Sequence, residues 1–136
     1  MEILNFGGWV FYLTPQHKTL EEHKCGKWMY FFYDRDFLET ICKKAIEENI
    51  VYECKHTDNV EGVACFYLNG DDIEGHKRVI QFFLDNDLIR KTKTGKLYNI
   101  GFKYDEQTLA GEYGKDFNAE KKLEHFIDLN TGKWRV

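Results

Sequence analysis

Serine is absent from this chain of 136 residues, and proline occurs once, at Pro15. Without serine there is no serine nucleophile and no G-x-S-x-G turn to present one. With one proline and no Gly/Ser-rich linker, repeat or low-complexity tract, nothing marks a boundary, so residues 1–136 are expected to form a single domain. The phosphate cradles G-x-G-x-x-G and G-x-x-x-x-G-K-[ST] are missing too, which leaves dinucleotide and P-loop folds without support. Apolar runs such as Trp9 to Leu13 and Met29 to Tyr33 fall far short of the roughly 20 residues that span a bilayer. The opening Met1-Glu-Ile-Leu-Asn-Phe6 lacks the basic region and long apolar core of a signal peptide, so a cytoplasmic protein with no membrane partner is expected. Positive charge is short as well. Lys and Arg number 19 against 23 Asp and Glu, a net charge of -4, and general nucleic-acid binding needs clustered cations.

Metal-site spacing is also lacking. Cys25, Cys42, Cys54 and Cys65 form no C-x-x-C pair, and His17, His23, His56, His76 and His125 are scattered. His23 and Cys25 lie close together, but two candidates do not make a zinc site. The thiols are expected to pack as small hydrophobes, and no metal or other cofactor is expected.

What the chain does have is apolar and aromatic content, at 43% and 16%, enough burial to offset chain entropy. The pattern predicts strands at Trp9 to Leu13, Lys27 to Tyr33, Ile50 to His56 and Val63 to Leu68. The second strand is apolar on both parities after Lys27, as in a strand covered on both sides. Between the second and third, Leu38, Ile41, Cys42, Ala45 and Ile46 recur at helical spacing behind an Asp34 N-cap, and Asn49 is placed for a left-handed stop. A second helix follows Asp71 or Asp72, with Ile73, Val79, Ile80, Phe83 and Leu84 on one stripe and His76 beside it as a core histidine. Leu88 to Lys91 and Leu97 to Tyr104 suggest a hairpin around Thr94-Gly95. Asp105 to Ala110 reads as a polar turn or short helix, Gly111-Glu-Tyr-Gly114 as a tight bend, and Leu123 to Val136 as a closing hairpin. Strands that outnumber two separated helices predict an α+β domain, with the helices on one face of a curved, mostly antiparallel sheet. The opposite, concave face would carry any site.

Chemistry-bearing residues collect at strand ends. Lys55 and His56 close the third strand, Lys103, Tyr104 and Asp105 close the hairpin strand, Thr108 and Tyr113 follow, and Lys27 opens the second strand. Converging lysines suit a phosphate or carboxylate, and a desolvated lysine can serve as a general base. Polar strand ends are equally what a solvated rim would show. His56 should face away from Lys55 in a regular strand, because neighbours alternate.

Gly26-Lys-Trp-Met-Tyr-Phe-Phe32 resembles the opening strand of the basophilic-leukaemia-expressed protein family. Cys54-Lys-His-Thr57 stands where that family has Ala-Lys-Val-Ser, and Val63-Ala-Cys-Phe-Tyr67 resembles its Val-Ile-Cys-Val-Tyr strand. Phe102-Lys-Tyr-Asp105 and Thr108-Leu-Ala-Gly-Glu-Tyr113 resemble its Tyr-Lys-Pro-Asp and Thr-Tyr-x-Gly-x-Tyr elements. The resemblance covers Gly26 to Gly114 and implies a fold like the translation-initiation cap-binding protein. More distantly, the core looks like bacterial phosphothreonine lyases and the lyase domains of lanthipeptide synthases, in which a lysine abstracts the α-proton and a histidine protonates the leaving group. Lys55 falls on the lysine-base position of that pattern. Met29 falls where the acid histidine would be, and Asn59-Val-Glu-Gly62 lacks the expected arginines.

Three functions follow as expectations. The first is a binding module whose concave face, through Lys27, Lys55, His56, Lys103, Asp105, Thr108 and Tyr113, holds an anionic small ligand or a phosphorylated peptide without catalysis. The second is a small accessory factor, of phage or mobile-element type, that blocks a partner protein. The third is a phosphothreonine lyase-like β-elimination with Lys55 as base. Exposed strand edges also allow a homodimer.

Overall fold

A computed structural model describes residues 1–109, 111 and 119–136. Among them are strands β1 (Glu2–Phe6), β2 (Trp9–Leu13), β3 (Cys25–Phe32), β4 (Glu53–Thr57), β5 (Gly62–Asn69), β6 (Gly101–Tyr104) and β7 (Lys121–Lys122). The helices are α1 (Arg35–Glu47), α2 (Ile73–Asp85) and the short α3 (Asp105–Leu109), with 3-10 turns at Pro15–Thr19 and Leu123–His125. All seven strands join one antiparallel sheet in the order β1-β2-β4-β5-β3-β6-β7. The fold is α+β. No described helix is long and apolar enough to cross a membrane.

Two strand–helix–strand units build the centre. In the first, Asp34 accepts a hydrogen bond from the Phe37 amide at 3.1 Å and starts α1, while Asn49, at φ 57°, turns the chain left-handed just past its end. In the second, Asp72 accepts from the Gly75 amide and starts α2. The buried stripe of α1 (Leu38, Ile41, Cys42, Ala45, Ile46) and that of α2 (Val79, Ile80, Phe82, Phe83) pack on one face of the sheet. The sheet answers with alternate residues: Val10 and Tyr12, Trp28 and Phe32, Cys54, Ala64, Phe66 and Leu68, and Phe102. Each large side chain removed from water there contributes on the order of 1.5–3 kcal/mol.

The buried polar side chains described in this layer are paired. Trp28 Nε1 donates to His76 Nδ1 at 3.0 Å, and His76 Nε2 lies 2.8 Å from the Gly70 carbonyl oxygen. A carbonyl only accepts, so His76 carries its proton on Nε2 and is a neutral core histidine. Its burial lowers the pKa and keeps it neutral. Gly26 permits the close fit of β6: a Cβ there would lie 2.7 Å from the Lys103 carbonyl oxygen and 2.6 Å from the Phe102 ring.

Three elements differ from the sequence expectation. β1 is an additional strand, folded onto β2 by Gly7 and Gly8, both at positive φ (59° and 83°), as a two-residue hairpin turn requires. The hairpin expected around Thr94-Gly95 reduces to that turn and one bridge between Lys91 and Leu97. Its second half, β6, instead pairs with β3 and β7, because β3 offers an open edge while Leu88, Ile89 and Leu97 are drawn into the core. The closing hairpin is likewise a single bridge, Ile127 to Trp134, around a turn in which Asp128 accepts from the amides of Asn130 and Thr131.

Candidate functional site: the open face of the sheet

Strand register decides which candidates meet. On the face away from α1 and α2, Leu13, Glu53, Tyr67, Lys27 and Lys103 form one cross-strand row. The next row runs Leu4, Phe11, Lys55, Cys65 and Met29, and a third holds Phe6, Trp9 and Thr57. Lys27, Lys55 and Lys103 therefore share one face. They line a cleft of about 820 Å³ with Trp9, Met29, Phe31, Val63, Tyr67 and Tyr98 around them. Apolar and aromatic walls with a few convergent polar groups are the usual make-up of a small-molecule site.

The lysines are held in different ways. Lys27, 7% exposed, donates to Asp105 Oδ1 and to Thr108 Oγ1, each at 3.0 Å. Asp105 and Thr108 come from α3, which follows β6 directly, so one short connection delivers both acceptors. Lys103 lies opposite Lys27 on the neighbouring strand and is also buried, at 6% exposure. Like charges directly opposite each other are unfavourable without counter-charge, and Asp105 supplies it for Lys27.

Lys55 is half-buried and, among the described residues, makes no hydrogen bond or ion pair. Its Nζ sits 3.9 Å from the Trp9 ring centroid, 5.5 Å from that of Phe11 and 5.7 Å from that of Tyr67. Ring faces attract an ammonium through their quadrupoles but accept no proton from it. Burial lowers the Lys55 pKa below its ordinary value near 10.5, and the Lys27 charge adds to this. Burial also pushes the Cys65 thiol up to about 11, the Cys25 thiol up to about 12 and the Tyr67 phenol above its usual range, so all three are protonated near neutrality. Glu53, 3.5 Å from His17 Nδ1, is raised by burial as well.

His56 does not join them, which corrects its place among the ligand-binding candidates. It lies on the helix-packed face, fully buried, with Nδ1 2.8 Å from the Thr57 carbonyl oxygen and Nε2 3.1 Å from the Tyr12 hydroxyl. Nδ1 therefore carries the proton, and Nε2 accepts from Tyr12. Strand alternation is the physical reason. Tyr113, the remaining candidate, lies outside the described residues, as does most of the bend expected at 111–114. Met29 occupies the Lys55 row two strands away, on β3, and its thioether donates no proton.

Sequence reasoning missed the rest of the wall. Arg90 donates to the Phe31 carbonyl oxygen and lies over the rings of Tyr30 and Tyr33, at 5.0 and 5.3 Å. With Tyr98 it closes the side of the cleft beyond β3. Both stand in the stretch read as a hairpin, and nothing local marks them as partners of a distant strand: the Arg90–Phe31 bond spans 59 residues of chain. Among the described residues no group of three or more His, Cys, Asp or Glu could hold a metal ion. No protein-family model matches the chain, and no curated protein matches it.

Proposed function

We propose that the open face of the sheet binds a small ligand with an apolar, ring-like body and one anionic group, and holds it without catalysis. The supporting observation is the convergence of Lys27, Lys55 and Lys103 on one aromatic-walled cleft. Its volume, about 820 Å³, lies within the range of small-molecule pockets, roughly 300–1,000 Å³. In this reading the body of the ligand lies on Met29, Val63 and Phe31, and the anion is drawn to the lysine end. Kinship with the basophilic-leukaemia-expressed family, and with a cap-binding-like sheet, belongs to the same proposal and rests on the ordered motifs between Gly26 and Gly114.

Thermal unfolding with three probes tests it. Phenyl phosphate should raise Tm with concentration, inorganic phosphate should raise it less, and benzyl alcohol should not. Saturation to about 100 times Kd corresponds to about 2.7 kcal/mol. Lys55→Ala should fold and lose most of the response. Equal shifts for wild type and variant, or none with any probe, would remove the proposal. A larger response to a phosphothreonine peptide than to phenyl phosphate would reassign the site to a peptide.

A second reading, a partner-blocking protein, is favoured by exposed apolar residues along the same face: Leu4, Phe6 at 78% exposure, Phe31 and Tyr33. A stoichiometric complex unaffected by Lys55→Ala would support it. β-Elimination has a base in Lys55, but Met29 gives it no acid and His56 stands behind the sheet. Elimination of phosphate from a phosphothreonine peptide, seen as the matching mass loss, would restore that reading.

A further inference from the structure

We propose that Lys55 is a nucleophilic amine, and that the cleft captures aldehydes or ketones carrying an anionic group as an imine on its Nζ. This deepens the binding proposal and rests on it. Among the lysines of the cleft, Lys27 has its Nζ engaged by two acceptors, Asp105 Oδ1 and Thr108 Oγ1. Lys55 has no acceptor to hold its protons among the described residues, and its nitrogen is surrounded by the rings of Trp9, Phe11 and Tyr67. The rings favour the ammonium, but desolvation in the cleft opposes it and lowers the pKa, which raises the share of neutral amine, the nucleophile. The groups facing it are Glu53 on its own strand, Cys65 and Tyr67 on β5, Lys27 on β3, Lys103 on β6 and Asp105 on α3. Lys27 opposes protonation of Lys55, Glu53 and Asp105 favour it, and burial lowers the pKa more than any of them.

The step balances without redox chemistry. The Nζ lone pair adds to the carbonyl carbon, forming the C–N bond, and the C=O π pair moves to oxygen. That oxygen takes up the proton that nitrogen loses, giving a carbinolamine. The hydroxyl then leaves with the remaining N–H proton as water, the C–O bond breaks, and the nitrogen lone pair forms the C=N bond. The sum is amine plus carbonyl to imine plus water. Tyr67, which lines the cleft and keeps its phenolic proton, is a hydrogen-bond donor for the carbonyl oxygen.

The probe is 4-formylbenzoate, trapped with borohydride and located by peptide mass mapping, with 4-(hydroxymethyl)benzoate as the same shape without a carbonyl. Lys55 should be labelled at least tenfold faster than any other lysine, and the alcohol should protect it. The labelling rate should level off at a pH below that of an ordinary lysine. Lys55→Arg, which keeps the cation but forms no imine, should lose the adduct. The mapping is done on wild-type protein, so its outcome stands even where a variant fails to fold. Binding of the alcohol without preferential labelling of Lys55 overturns the inference and leaves the binding proposal standing. Absence of both binding and preferential labelling overturns the two together.

Discussion

Lys55 and His56 are neighbours in the chain and live in different parts of the molecule. Both interrupt the apolar pattern of one strand. His56 is sealed between the sheet and the helices, with each ring nitrogen matched to a single partner. Lys55 stands on the open face against aromatic rings, with no acceptor among the described residues. The first residue is tied by hydrogen bonds and holds the fold; the second, among the described residues, meets only rings. A polar residue in a strand thus says little until its face is known. What its polar atoms touch then separates structure from function.

The largest expected effect lies on the sealed side. His56→Ala should lower stability by about 2–4 kcal/mol, because it opens a cavity and leaves the Tyr12 hydroxyl without its acceptor. Chemical denaturation measures it, and the phenyl phosphate response of the remaining folded protein should persist. A loss below about 1 kcal/mol would break the contrast.

Trp28→Phe should cost about 2–3 kcal/mol by leaving His76 Nδ1 without a donor and trimming the centre of the ring cluster. The loss of Tm would be about 3–5 °C per kcal/mol for a chain of this size. Lys27→Met should cost less, about 1–2 kcal/mol, since Asp105 is partly exposed and can recover water when its partner goes.

Lys55→Met should change stability by no more than about 0.5 kcal/mol, as relief from desolvating the ammonium offsets the lost attraction to Trp9. It should nevertheless abolish the phenyl phosphate response. A small effect of pH sharpens the same point. The folded pKa of Lys55 lies below the unfolded value near 10.5, so the unfolded chain binds more protons in the window between them. Wild-type stability should therefore rise relative to Lys55→Met as pH climbs through that window, and stay level below the folded pKa, where both states carry the proton. The same trend in both proteins would show that another group is responsible.

The legible parts of the sequence were those with local causes. Asp34 and Asn49 bracket α1 through their own backbone geometry, and β3 lies inside the sheet, but only one of its faces is covered by helices: the other lines the cleft, with Phe31 56% exposed. Alternation alone separates His56 from Lys55. The convergence of Lys27, Lys55 and Lys103 was harder, because it depends on register across β4, β5, β3 and β6. Arg90 and the aromatic box of Trp9 and Phe11 left no local signal: their roles arise from long-range pairing. The missed β1 is short and wholly exposed, so burial stamped no alternation on it.

A ligand held at Lys55 would perturb the open face and leave the helix-packed side as it is. An amide-resolved NMR titration with phenyl phosphate tests it most directly. Saturable shifts are expected, centred on Met29, Lys55, Cys65, Tyr98 and Lys103, with His56 and α2 changing little. Shifts centred on the helix-packed side, or no saturable shifts at all, would contradict it.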